Sequence, residues 1–199
     1  MYQGTSYQDE VKNNIYGCER CNLCMGRRNI AVYRGSPSRS DIMVVGEAPG
    51  EEEDRQGKAM VGPTGSYLVA LFEAEGLSTT DYYITNCVLC RPPKNADPTT
   101  AQLDACSRWL NWQIEKIQPK WIIAAGRIAY SRLNPKFILN KDKITRVEGD
   151  VVSPVHLRPI KVAALQHPSA IQRAMFKEDA YKKVISKLLL DIRLDLGKA

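Results

Sequence analysis

The stretch Asp41-Ile42-Met43-Val44-Val45-Gly46-Glu47-Ala48-Pro49-Gly50 decides the fold. Its first half is a short, unbroken apolar run, the pattern of a strand buried on both faces. Its second half is a turn punctuated by Gly and Pro that carries one carboxylate. Three further segments read as strands. Tyr82-Tyr83-Ile84-Thr85-Asn86 ends on an amide, Trp121-Ile122-Ile123-Ala124-Ala125 runs into Gly126, and Lys161-Val162-Ala163-Ala164-Leu165 is soon followed by His167. Helical periodicity fills the intervals: Ser66 to Glu75, Ala101 to Ile117, a short helix after Gly126, and a last helix from Glu178 to about Leu194. Strands alternating with helices predict an α/β fold whose mostly parallel, four-stranded sheet is covered on both faces. Ligands of such sheets bind outside the carboxyl ends of the strands. Glu47, Asn86, Gly126 and His167 should therefore meet in one crevice.

The 199 residues are enough for a single domain, 1–199, with a substantial core. Hydrophobic content of 44% with 25% charge is ordinary for a soluble globular protein. No apolar run reaches membrane-spanning length, and Met1 to Asn14 has no signal-peptide core. The expectation is a cytoplasmic or nucleoid-associated monomer with no membrane contact. A net charge of +6 hints at a polyanionic partner.

In a reducing compartment, spaced cysteines bind metal or do redox work more often than they form disulfides. Cys18 and Cys21 form a Cys-x2-Cys pair, and Cys90 and Cys106 stand far downstream. Thiolates from two distant pairs can close around zinc or an iron–sulfur cluster, and spacing alone does not choose between them. Cys24 offers an alternative first pair with Cys21. Cys24 and Cys87 otherwise read as small buried hydrophobes.

The run Gly46-Glu47-Ala48-Pro49-Gly50-Glu51-Glu52-Glu53-Asp54, then Val61-Gly62, then Ile84-Thr85-Asn86, Cys90-Arg91-Pro92-Pro93 and His167-Pro168-Ser169, closely resembles the family 4 uracil-DNA glycosylases. The match runs from about Cys18 to Ser169. The resemblance implies a three-layer α/β/α sandwich, a [4Fe–4S] cluster, and hydrolysis of the N-glycosidic bond of uracil in DNA. It implies Cys18, Cys21, Cys90 and Cys106 as cluster ligands, tying the N-terminal segment to the loop before the long helix. DNA, single- or double-stranded, is the implied partner.

A glycosylase must take the nucleotide out of the stack and stabilise a leaving uracil anion and a cationic sugar. A neutral imidazole at His167 suits the donor role. Asn86 suits the edge reader, since one carboxamide offers a donor and an acceptor to uracil O4 and N3–H. Glu47 suits water activation or charge stabilisation on the sugar, and the Ala48 N–H suits contact with uracil. Glu51 and Glu52 read as a solvated helix N-terminus, with a supporting pocket role for Glu53 or Asp54. His156 has no comparable context. Ser169, Ile171 and Arg173 match the family's minor-groove loop, with Ile171 or Arg173 filling the space left by the flipped base. Arg20, Arg27, Arg28, Arg91, Lys94 and Arg127 are candidates for phosphate contact.

The chain departs from the family at Met60, where an aromatic Phe usually stacks on the base, and at Glu148, where a basic residue is common. The Lys-Arg-Arg-Ile-His insertion of covalent uracil-trapping relatives is absent. The C-terminal helix from Lys177 to Asp195 is extended and suits a partner surface. Two other functions fit the same scaffold: a glycosylase for a modified pyrimidine, and a non-catalytic DNA-binding or replication accessory subunit.

Overall fold

The computed structural model of the protein describes residues 6–38, 40–133, 147–151, 160–173 and 178–198, with backbone alone at 147–151 and 172–173. Among them, four strands form the parallel centre of the sheet: β2 (Ile42–Gly46), β3 (Tyr82–Asn86), β4 (Trp121–Ala125) and β6 (Ile160–Leu165). These are the four that the apolar runs predict. Two antiparallel edges extend them, β1 (Arg34–Gly35) beside β3 and β5 (Val147–Val151) beside β6, giving the order β1-β3-β2-β4-β6-β5. Neither edge announces itself in sequence. β1 is two residues long, and β5 is interrupted by Gly149.

Alternation along each strand sorts its side chains between two layers. Ile42, Val44, Ile84, Ile123 and Leu165 pack with α3 (Pro63–Ala74) and α7 (Glu178–Asp195). Met43, Val45, Tyr83, Ile122 and Ala164 pack with α4 (Thr100–Ile117) and α5 (Arg127–Leu133). The three layers follow from both faces being apolar. α7 buries Tyr181, Ile185, Leu188, Leu189 and Ile192, one stripe at helical spacing. Each such aliphatic side chain contributes roughly 1.5–3 kcal/mol by leaving water. α4 begins in a capping box, Thr99 accepting from the Gln102 N–H while Gln102 reaches back to the Thr99 N–H.

A third cluster holds the N-terminal segment against α4. Val11 and Ile15, at the end of α1 (Tyr7–Asn14), join Leu23, Ile30, Leu89, Cys90, Cys106 and Trp109. Tyr7 stacks on Trp112 at 5.4 Å, and its hydroxyl lies 2.6 Å from that of Tyr83, which donates to Gln113. Among the described residues no helix is long and apolar enough to cross a membrane. His156 lies outside the described residues.

Register aligns the carboxyl ends of the strands. Gly46 pairs with Asn86, Val45 with Ala124, and Ala125 with Leu165. The chain runs from β2 outward to β3, then back across to β4, so the winding reverses between β2 and β4. Glu47 follows one strand of that switch point and Gly126 the other.

Candidate functional site

A cleft of about 580 Å³ opens at this end of the sheet. Glu47, Asn86 and His167 line it as their strand-end positions predict, together with Ala48, Met60 and Ser169; Gly126, expected with them, does not line it and lies against the His167 side chain. The volume suits a small-molecule ligand or an extruded base.

Asn86 ends β3 and is 3% exposed. Its Nδ2 has no hydrogen-bond partner among the described residues. A buried donor without an acceptor costs about 1–3 kcal/mol, so a ligand carbonyl at this position repairs a deficit built into the protein. The amide fits against Gly46: a Cβ there would stand 2.3 Å from Asn86 Oδ1 and 2.7 Å from Met60 Cε. Only glycine lets the strand end, the amide and Met60 come this close.

The orientation of His167 is fixed locally. Its Nδ1 lies 2.8 Å from Ser169 Oγ and 3.3 Å from the Ser169 backbone nitrogen. A backbone N–H can only donate, so Nδ1 accepts and the neutral ring carries its proton on Nε2. A proton donor is thus presented by an uncharged ring. Gly126, at φ +106°, gives the ring room, since a Cβ would stand 3.1 Å from it.

Glu47 is half-buried, and its carboxyl is pushed up to about 7, first by burial and then by Asp97, against the pull of Arg127. Arg127 also lies 3.9 Å from Asp97. Asp97 is a site residue that sequence reasoning misses, because 50 positions separate it from Glu47 and its loop carries no local signal. The acidic run divides as its helix face dictates. Glu51 pairs with Arg91 and Glu52 with Arg55 at the surface. Glu53 is buried and accepts from the Gly50 and Gly62 N–H groups at 3.1 and 2.7 Å, clamping both walls of the cleft. Asp54 accepts from the Arg28 and Asn29 N–H groups, which ties the N-terminal segment to α2 (Glu51–Gln56).

Met60 adopts the left-handed conformation at φ +51°, uncommon for a residue with a Cβ, and Arg34 donates to its carbonyl at 3.0 Å. Ile171 corrects an expectation. It is 2% exposed and packs in the core with α3 and α7, so it cannot leave to fill a gap in DNA without opening a cavity. Ser169 turns inward to His167. Arg173 closes α6 (Pro168–Arg173), and its side chain lies outside the described residues.

Cys18, Cys21, Cys24, Cys90 and Cys106 line a second, apolar cavity together with Trp109. Cys87 does not join them and is a core residue, its thiol pushed up to about 12 by burial. Trp109 Nε1 donates to Cys18 Sγ at 3.2 Å, and Arg27 donates to Cys90 Sγ at 3.7 Å. Burial pushes the Cys90 thiol up to about 11 and Cys106 to about 12. Thiolates at such positions need a cation to replace the proton. Among the described residues no three such side chains converge as one metal ion requires. Five thiols around one apolar cavity, two of them accepting from N–H donors, fit a metal centre held by thiolates.

The Uracil DNA glycosylase superfamily model matches residues 32–189. A Type-4 uracil-DNA glycosylase of Archaeoglobus fulgidus is 34% identical over 181 residues, covering 90% of each chain. One of Saccharolobus solfataricus is 40% identical over 164 residues, 81% of this chain and 76% of the relative. One of Thermotoga maritima is 37% identical over 175 residues, 87% of each. The switch-point cleft, the separate thiol-lined cavity and these matches along nearly the whole chain lead to one assignment: the chain belongs to the uracil DNA glycosylase superfamily, with the Type-4 enzymes.

Proposed function

We propose that the protein hydrolyses the N-glycosidic bond of uracil in DNA, the first step of base-excision repair. The observation that carries this is the buried, unpartnered Nδ2 of Asn86 at the base of the cleft. Uracil O4 accepts from that N–H, and uracil N3–H donates to Oδ1. Cytosine presents the opposite pattern at both atoms, leaving two groups unpaired at about 1–3 kcal/mol each.

The reaction follows from the neighbours. The bond between uracil N1 and sugar C1′ breaks, its electron pair leaves with uracil, and water supplies hydroxide to C1′. His167 Nε2–H donates to O2 of the leaving anion, a neutral donor aimed where charge develops. Ionised Glu47 stabilises the cationic sugar and takes the proton of the attacking water. The Ala48 N–H contributes a further donor to uracil, and Met60 forms the apolar wall against the base. Arg173 and Ser169 adjoin the DNA.

Cys18, Cys21, Cys90 and Cys106 hold a [4Fe–4S] cluster in this proposal, supported by their shared apolar cavity and by the Trp109 and Arg27 donors. The cluster supplies a cross-link between the N-terminal segment and α4, and no step of the reaction passes through it. Incubation with oligonucleotides carrying one uracil, cytosine or thymine tests the function. Free base is expected from the uracil strand alone. Release of another pyrimidine in preference to uracil, or of no base, overturns it.

A further inference from the structure

The walls of the cleft pose an electrostatic problem for an enzyme acting on a polyanion. Glu47, Glu51, Glu52, Glu53 and Asp97 line it; among the described residues its lining holds no lysine or arginine, and Arg55, Arg91 and Arg127 offset Glu52, Glu51 and Asp97 from outside. Among the described residues a second place offers a further grip on phosphates. A groove of about 1200 Å³ runs between α1 and the Gly57–Ser66 region. Lys12, Arg27, Arg28, Arg34 and Lys58 line it, against one carboxylate, Asp9.

These cations differ in how they are held. Arg27 donates to the Cys18 carbonyl at 2.7 Å and to Cys90 Sγ, so its charge is shared with the thiol cavity, whereas Arg34 donates to the Met60 carbonyl at 3.0 Å; neither pairs with a carboxylate among the described residues. Lys12, Arg28 and Lys58 are exposed and form no ion pair among the described residues. Elsewhere on the surface cations are commonly paired, as Lys116 is with Glu10 and Arg132 with Asp104. A concavity that gathers positive charge and leaves it unpaired concentrates an anionic partner.

Groove and cleft share a wall. Val61 and Ser66 face the groove, while Met60, Gly62 and Gly65 face the cleft. Arg34 reaches from the groove to the backbone of Met60. We infer that the groove is a backbone track for the DNA strand flanking the uracil, its phosphates passing Lys12, Arg28 and Lys58 while the base is held on the far side of the 60–66 wall. This inference rests on the proposed glycosylase activity and adds the site that supplies its affinity.

The test uses the full chain with Arg28→Gln and Lys58→Gln combined, two exposed positions whose side chains make no hydrogen bond or ion pair among the described residues. The probes are single-stranded oligonucleotides with one central uracil, about 5 nucleotides long, near the lower end of the usual single-strand site sizes, and about 20, beyond their upper end. Equilibrium binding is measured across a salt series, and base release is measured at saturating protein. For the long strand, the log–log salt slope of the variant should be shallower by about 1.4, about 0.7 for each lost phosphate contact. Its binding to the short strand and its release rate at saturation should match the wild type. An unchanged slope on the long strand overturns the track, including the case in which the groove serves an acidic protein segment. Failure of the glycosylase reading shows separately, as wild-type protein that binds the strand and releases no uracil.

Discussion

The two cavities of this protein are built on opposite principles. The thiol cavity is apolar, lined by Trp109 and by Cys90 and Cys106, whose ionised forms burial disfavours. The strand-end cleft is lined by carboxylates, the amides of Asn86 and Asn95, and one imidazole, beside the apolar Met60. The first is made by packing an N-terminal segment onto α4, the second by aligning the ends of parallel strands. Damage to the first should be felt as lost folding, damage to the second as lost chemistry on an intact fold.

The largest effect is expected at the thiol cavity. Cys90→Ala or Cys106→Ala should lower the thermal midpoint sharply and reduce the iron bound per chain, because metal binding of this kind is coupled to folding. Circular dichroism melting together with iron analysis reads both. A variant with wild-type melting and no iron would break the contrast between the cavities.

His167→Ala comes next. Losing one preorganised donor costs about 3 kcal/mol, roughly a hundredfold in single-turnover rate, while the thermal midpoint should hardly move. A large drop in melting temperature would make His167 a structural residue.

Glu47 adds a pH dependence. Its folded value is about 7, so uracil release should fall as pH drops below that point and the carboxylate protonates. Asp97→Asn removes a negative neighbour, and the acid limb should shift to lower pH. Stability runs the other way: a carboxyl raised from 4.5 contributes stability that is complete below about 4.5 and lost as pH rises towards 7. Glu47→Gln should therefore gain on the wild type in chemical denaturation across that window. An acid limb unmoved by Asp97→Asn would remove Asp97 from the site.

Met60→Phe is the smallest expected change. A ring stacked on the base is worth about 1–3 kcal/mol, but Met60 holds a left-handed backbone fixed by Arg34 and packs against Gly46. At most about a tenfold gain on uracil is expected, for 1.4 kcal/mol realised in the transition state. A loss on uracil with a gain by the native Met60 on a 5-substituted pyrimidine would favour the larger base as substrate.

What was legible from sequence follows the same division. The four buried strands, the long helices and the meeting of Glu47, Asn86 and His167 could be read, because unbroken apolar runs and turn residues carry the parallel-sheet signal locally. The edge strands could not: β1 is set by its pairing with β3, and β5 has little apolar character of its own. Asp97 is invisible for the same reason, being brought to Glu47 by folding alone. Ile171 shows the converse error. Its place in a motif suggested exposure, whereas its side chain completes the packing between α3 and α7. The buried role of Glu53 lay within an acidic run that a helix N-terminus explains without it, and only the Gly50 and Gly62 contacts separate it from Glu51.

If the unpartnered amide of Asn86 reads uracil in the cleft, single-turnover release of free uracil by Asn86→Asp shows it. Beside wild type, with DNA affinity measured on the same preparations, release should slow about a hundredfold, as for loss of one preorganised donor, with affinity close to unchanged, since phosphates dominate binding. Release at the wild-type rate, from a variant that binds DNA equally well, would contradict it.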